Sequence, residues 1–479
     1  MVAPARALYC FSAGRAQGPP LLHPEGKMKN QAKDYSPSSD KQSQILARLA
    51  LLGLAFLLPV LAWGVMAAAA ALALLFSFLI LPEVAEESQH GRTLATNLLE
   101  GTGAYALSVL LLILIFHRDL SVVAAVWAML AVGSGVRAVA DELVSGAKLP
   151  WNPDKSWIGL VAFALAGAPA AWFLAEWALA PPARPSGLFA ISALTAALGA
   201  VMESLPMRLH SSYADSLLCG GFMSCLILFN HWAWAGNLPF LRLRILLAIV
   251  VSLIFALGAY FLRLVDRSGA IAGFLLAAAI YLGYGYKSFL VLFAFFLLGS
   301  GATRLGYASK AAVGIAERRG GARSWREALA NASAAAFFAM FSLLTLPQAA
   351  FLAAFVAALA EAAGDTVSSE IGQWLSPRAY LITTFRAVPA GENGGISAAG
   401  SAAGLAAVTA IVAFGYALGI CNLKAAVIAM TAAVSGNLFD SLLGATLERQ
   451  GLLTNGIVNF ASTSLAGGLA LALGLHFGL

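Results

Sequence analysis

Long apolar runs alternate with short polar segments along this chain. The apolar runs cover roughly residues 45–62, 63–81, 102–117, 120–140, 157–179, 186–204, 214–235, 239–264, 268–283, 287–302, 331–346, 348–363, 396–419, 421–447 and 456–477. A helix needs about 20 apolar residues to cross a bilayer. A membrane β-barrel would instead alternate polar and apolar positions in segments of about ten. The pattern therefore predicts an all-α, polytopic integral membrane protein of roughly thirteen to fifteen transmembrane helices, with adjacent runs free to merge. Pro59, Pro347 and several glycines set the breaks.

Composition narrows the class. Of 479 residues, 60% are apolar and only 11% charged, against about 25% charged in an average soluble domain. That excludes a soluble globular enzyme, a disordered chain, and a nucleic-acid binder that relies on bulk charge. The net charge of +6 is read locally, because basic residues fix membrane topology. Residues 1–44 are polar and basic, with no signal-length apolar core, and read as a disordered tail in which Met28 offers an alternative start. Cys10, Cys219, Cys225 and Cys421 have no metal-ligand spacing and form no disulfide framework.

Polar loops fall at 82–101, 137–156 and 303–330, with a mixed segment at 364–395. The 303–330 loop carries Arg304, Lys310, Arg318, Arg319, Arg323 and Arg326 against Glu317 and Glu327. With the basic tail, this places the long loops in the cytoplasm, as in a prokaryotic plasma membrane. Arg318, Arg319 and Arg323 suit topology or a functional role alike. Arg304 and Lys310, nearer the apolar run, also suit anion binding.

Four polar clusters interrupt apolar sequence, where charge costs about 3 kcal/mol. In the first, 360-AEAAGDTVSSEIGQWL-375, Asp365 and Glu370 are five residues apart and do not share a regular helix face. Either Gly364 breaks the helix, or the two acids serve different ligands. A helix starting at Asp365 would present free N–H groups to an anion. Hard oxygen ligands of this kind suit Mg²⁺ carried by a nucleotide; an N-cap with a solvated acid is the plain alternative. In the second, 434-VSGNLFDSLLGATLERQG-451, Asn437, Asp440, Ser441, Gly444 and Glu448 share one face. Helix packing explains the small residues but not the aspartate. In the third, 386-RAVPAGENGGISAAGSAAG-404, a glycine-rich loop can place N–H groups around phosphate, with Arg386 beside it. In the fourth, 299-GSGATRLGYASKAAVG-314, Arg304 and Lys310 share a stripe with Ser300, Thr303 and Tyr307. That stripe suits a polyanion or interfacial anchoring. Asn455, Asn459, Ser462 and Thr463 form a milder stripe. Together the clusters point to phosphoryl chemistry on a membrane lipid, or to transport.

From about residue 240 onward, FAFFLLGSGATRLGYASK, GDTVSSEIG, LITTFRAVPAGENGGIS and GNLFDSLLGATLERQGLLTN resemble the integral-membrane family that includes transmembrane protein 19 and the plant phytyl-phosphate kinase. The resemblance implies phosphorylation of an isoprenoid monophosphate to its diphosphate, from CTP or ATP with Mg²⁺. Asp365, Glu370 and Asp440 would be the catalytic and metal-binding acids. Arg304, Lys310, Arg386, Asn393, Gly394, Gly395, Asn437 and Ser441 would meet phosphate. The first half, through LPWNPDKSWIGLVAFALAG and VMESLPMRL, resembles the polyprenol kinase group, which includes dolichol and phytol kinases and is similar to CDP-diglyceride synthetases. There Lys155 and Ser156 would meet nucleotide. The match departs at Ser134, where an acid is expected, at His210, Ser211 and Ser212, and around His90 and Arg92. That half is therefore expected to be impaired or structural, with Asp141 or Glu142 as substitute acids. The expected organisation is a tail (1–44), a polyprenol-kinase-like domain (45–238) and a prenyl-phosphate-kinase-like domain (239–479). The partners are membrane lipid, an isoprenoid phosphate and a nucleotide, with no nucleic acid. The rival readings are a lipid or phosphate carrier and a CDP-lipid-forming cytidylyltransferase.

Overall fold

The computed structural model describes residue 45 and residues 48–76, 103–144, 146–179, 187–206, 212–316 and 321–479. The tail, the 82–101 loop with His90 and Arg92, and His210, Ser211, Glu317, Arg318 and Arg319 lie outside the described residues.

Ten described helices are long and apolar enough to cross a membrane, and the protein is an all-α integral membrane protein. Helices suit lipid because each satisfies its own backbone hydrogen bonds. The fifteen described α-helices are, in chain order, α1 (Trp63–Leu75), α2 (Ala104–Phe116), α3 (Leu120–Leu143), α4 (Trp157–Ala178), α5 (Leu188–Ser204), α6 (Ser212–Ile227), α7 (His231–Phe261), α8 (Arg267–Tyr284), α9 (Tyr286–Arg304), α10 (Tyr307–Ala312), α11 (Trp325–Leu344), α12 (Gln348–Leu375), α13 (Ala398–Ala417), α14 (Leu423–Leu443) and α15 (Asn455–His476). Of these, α1, α2, α5, α6 and α10 fall short of spanning length within the described residues. The expected boundary at 238/239 falls inside α7, which runs unbroken through Pro239.

Two antiparallel ribbons occupy polar loops. Strands β1 (Lys148–Leu149) and β2 (Asn152–Ser156) pair between α3 and α4. Strands β3 (Arg378–Leu381), β4 (Ala387–Pro389) and β5 (Gly395–Ile396) form a sheet ordered β4-β3-β5 after α12. The buried apolar residues form two clusters, one from Ala55 to Met223 and the other from Cys225 to Leu471.

In the second cluster α12 is central. Its residues Ala350–Gly364 are buried throughout, and it packs against α9, α11, α13, α14 and α15. Alanine and glycine make this possible, since small side chains let helix axes approach closely. The helix continues through Gly364 to Leu375. Asp365 therefore starts no helix and offers no free N–H groups. Its polar neighbours are carried in helical geometry because they face a cavity rather than lipid.

Chain alternation brings the N-termini of α8, α11, α13 and α15 to one end of the bundle, with the C-termini of α7, α9, α12 and α14. Caps define these starts. Asp266 Oδ1 accepts from Gly269 N at 2.8 Å. Ser324 and Glu327 close a capping box, with Ser324 N donating to Glu327 Oε2 at 2.7 Å. Ser397 Oγ accepts from Gly400 N at 3.1 Å.

Candidate functional site

A cavity of about 620 Å³ opens at that end of the bundle. Its walls join segments far apart in sequence: Asp365 to Ser369 of α12, Asn437, Asp440 and Ser441 of α14, the loop Asn393–Gly395, and Asn455 and Asn459 of α15. Beyond α14 the chain makes one π-helical turn, Gly444–Glu448, which brings Glu448 onto the same wall. Of the residues singled out from sequence, the structure collects Asp365, Glu370, Asp440, Asn393, Gly394, Gly395, Asn437 and Ser441 around this one space.

Asn437, Asp440, Ser441, Gly444 and Glu448 line it together, as their helical spacing implies. Asp440 Oδ2 accepts from Ser462 Oγ at 3.1 Å. Asn437 Nδ2 donates to the carbonyls of Glu361 and Ala433, each at 3.1 Å, tying α14 to α12. Gly394 sits at φ +72°, and a Cβ there would strike the backbone of Ala445. The glycine loop is thus seated on the π-helical turn by a contact only glycine permits. Glu392 and Arg449 pair across the same contact at 3.4 Å.

Glu361 escaped the sequence reading. It lies one turn before Asp365, is 1% exposed, and neither carboxylate oxygen has a hydrogen-bond partner. Its neighbour Ser462 directs its hydroxyl toward Asp440 Oδ2 at 3.1 Å and Asn459 O at 3.0 Å. Asp440 and Asp365 are close enough for their charges to act on it. The i, i+4 spacing of Glu361 and Asp365 inside an apolar run was the available signal. Gly436 makes the packing possible: a Cβ there would meet Glu361 Cγ at 2.7 Å and Ala466 Cβ at 2.9 Å. Gly436→Val is expected to separate α14 from α12 and α15 at a cost of about 1–3 kcal/mol. Thermal melting in detergent checks this, and a wild-type melting temperature contradicts it.

Arg323, left open above between topology and function, lines the cavity. Its charge acts on Asp365, and its guanidinium lies 5.6 Å from the ring centroid of Phe295.

The other expected cations lie elsewhere. Lys310 is 1% exposed and pairs with Glu370, and its Nζ also donates to Thr303 O at 3.1 Å. Lys310 therefore neutralises Glu370 rather than phosphate, and Glu370, though at the cavity wall, has its charge already matched. Arg304 is exposed outside the cavity, with Nη2 donating to Leu262 O at 3.3 Å. Arg386 is exposed in the β3–β4 turn and does not line the cavity. Sequence adjacency to the glycine loop does not aim its side chain, because the turn directs it outward.

For a divalent cation the donors are of the right kind, hard carboxylate and amide oxygens. Among the described residues no three His, Cys, Asp or Glu side chains group closely enough to hold a metal ion. Mg²⁺ delivered on phosphate needs only one or two protein carboxylates, which Asp365 and Asp440 of the cavity wall could supply.

The first half looks different. Ser134 Oγ donates to Glu203 Oε2 at 3.1 Å, and Arg137 bridges Asp141 at 3.0 Å and Glu203 at 2.9 Å. Lys155 donates to Glu203 O, and Ser156 donates to Asp141 through both its N–H and its hydroxyl. Burial, with the Arg137 charge beside it, pulls the Lys155 amine below its ordinary pKa. Ser134, Arg137, Asp141, Lys155, Ser156 and Glu203 thus form one hydrogen-bonded network, and Glu142 is exposed outside it.

Comparison with known proteins assigns the second half. The family described as integral membrane protein DUF92 matches residues 250–467, a stretch that contains every residue of the cavity wall. The chain is 34% identical to Protein VTE6, chloroplastic, of Arabidopsis thaliana over 46% of its own length and 69% of that protein. It is 35% identical to an uncharacterized membrane protein of Synechocystis, covering 42% of this chain and 78% of the relative. It is 32% identical to an uncharacterized membrane protein of Methanocaldococcus jannaschii, covering 47% and 92% respectively. No solved structure matches it. With the cavity lying inside the matched stretch, the chain belongs to the integral membrane protein DUF92 family.

Proposed function

We propose that this protein is a membrane-embedded kinase that phosphorylates an isoprenoid monophosphate to the diphosphate, with CTP or ATP as donor. The observation that carries the reading is the cavity itself. Asp365, Asp440 and Glu448 face a glycine loop and helix N-termini at one end of a membrane bundle. The resemblance of GDTVSSEIG and GENGGIS to the phytyl-phosphate kinase family supports the substrate class.

In the proposed step, a phosphate oxygen of the lipid attacks the terminal phosphorus of the nucleotide. The bond from that phosphorus to the bridging oxygen breaks, and the nucleoside diphosphate leaves. Such transfer needs alignment and charge neutralisation more than covalent chemistry. Asn393, Gly394 and Gly395 would cradle phosphate oxygens. The N-termini of α11, α13 and α15 add favourable dipoles. Arg323 would neutralise charge on the acceptor. Asp365 and Asp440 would hold Mg²⁺ against the phosphates. When bound, the ion offsets the charge that builds on the transferring group.

Purified protein given labelled CTP or ATP with phytyl or geranylgeranyl monophosphate is expected to yield labelled isoprenoid diphosphate. A CDP-lipid product would establish the cytidylyltransferase. Lipid phosphate crossing liposomes, with no diphosphate under any pairing, would establish the carrier.

A further inference from the structure

A second, smaller recess lies beside the cavity. It measures about 60 Å³ and is walled by Phe255 and Ala259 of α7, Gly269 and Gly273 of α8, and Phe295 and Phe296 of α9. The two spaces share a wall, since Arg323, Glu327 and Asn331 line both. Beyond those three, the recess is bounded by aliphatic, aromatic and glycine residues. A polar chamber thus passes to an apolar one across Arg323, with Glu327 and Asn331 beside it. That arginine acts on Asp365 on one side and covers Phe295 on the other.

We propose that this recess takes the first isoprene unit of the lipid monophosphate, with Arg323 at the joint between phosphate and tail. The inference rests on the kinase reading for its substrate, and it assigns the tail end of the same site. Size supports it. A void needs about 10–15 Å³ by a water-sized probe to hold one water, and the recess, at about 60 Å³, has room for a small branched apolar group such as one isoprene unit. Tail length beyond that unit is not gated, because the rest can lie in lipid along α7, where Ile254 is 66% and Phe261 75% exposed.

Gly273 allows a direct test. It lines the recess, and a Cβ there meets nothing within 4 Å, so Gly273→Leu fills the space without displacing backbone. Ala259→Leu is the second filling variant. Equilibrium binding of geranylgeranyl monophosphate to the full chain in detergent is expected to weaken at least tenfold in both, while CTP and ATP binding stays at the wild-type level. Wild-type affinity for geranylgeranyl monophosphate in both variants overturns the proposal. A geranylgeranyl monophosphate carrying a diazirine on its first isoprene unit is expected to label α7, α8 or α9. Labelling elsewhere overturns the proposal even if a filling variant unfolds. Both readouts are independent of turnover. Labelling of the recess by a protein that forms no diphosphate would support the tail site and remove the kinase reading.

Discussion

Asp440→Asn is expected to lower the rate of diphosphate formation by about 1,000-fold while leaving the fold intact. Asp440 lines the cavity at its centre, between Asp365, Glu361 and the π-helical turn. It keeps one oxygen for a ligand, because Ser462 occupies only Oδ2. Asparagine preserves the size and can still accept from Ser462, so helix packing is retained. It loses the charge that holds a phosphate-bound divalent ion. Steady-state kinetics on detergent-purified protein, with melting temperature as the folding control, checks this. A rate within tenfold of wild type, with the same melting temperature, removes Asp440 from the chemistry.

Lys310→Met is expected to destabilise the protein by about 3–5 kcal/mol, the usual cost of leaving one member of a buried ion pair uncompensated. Lys310 and Glu370 are both almost fully buried and pair with each other. Lys310→Met with Glu370→Leu removes both charges, and most of the lost stability should return. Activity should return with it, since the pair anchors α10 to α12 rather than contacting phosphate. Denaturant titration of the two single variants and the double variant checks this. A double variant as stable as wild type but inactive would instead place Glu370 in the chemistry.

These two residues show where sequence reading reaches and where it stops. The apolar runs at 268–283, 287–302, 396–419 and 456–477 emerge as helices within a few residues, because lipid burial imposes a length and a composition that local sequence must meet. The stripe from Asn437 to Glu448 was legible for a similar reason, helical period being a local property. Pairing across the bundle is not local. Lys310 and Glu370 are 60 residues apart, and nothing in either segment says that one cancels the other. At Gly364 the sequence left two readings open, a helix break or two acids serving different ligands. Inside the bundle its missing side chain instead admits Asn437 and Val408. Arg386 beside the glycine loop looked like a phosphate ligand, and the turn points it to the exterior. For Arg323 the sequence left topology and function open, and the fold brings it to the cavity, where its charge acts on Asp365. In the first half, nothing local announced the network in which Ser134, Arg137 and Lys155 all converge on Glu203.

The central claim is that the cavity around Asp365 and Asp440 moves a phosphoryl group onto a lipid phosphate. The most direct measurement is transfer of a label from the terminal phosphate of CTP or ATP to geranylgeranyl monophosphate, with wild-type protein and Asp440→Asn assayed side by side. The account predicts labelled geranylgeranyl diphosphate from the wild type and almost none from the variant. Equal labelling by both proteins, or no labelled diphosphate from a folded wild type with either nucleotide, would contradict it.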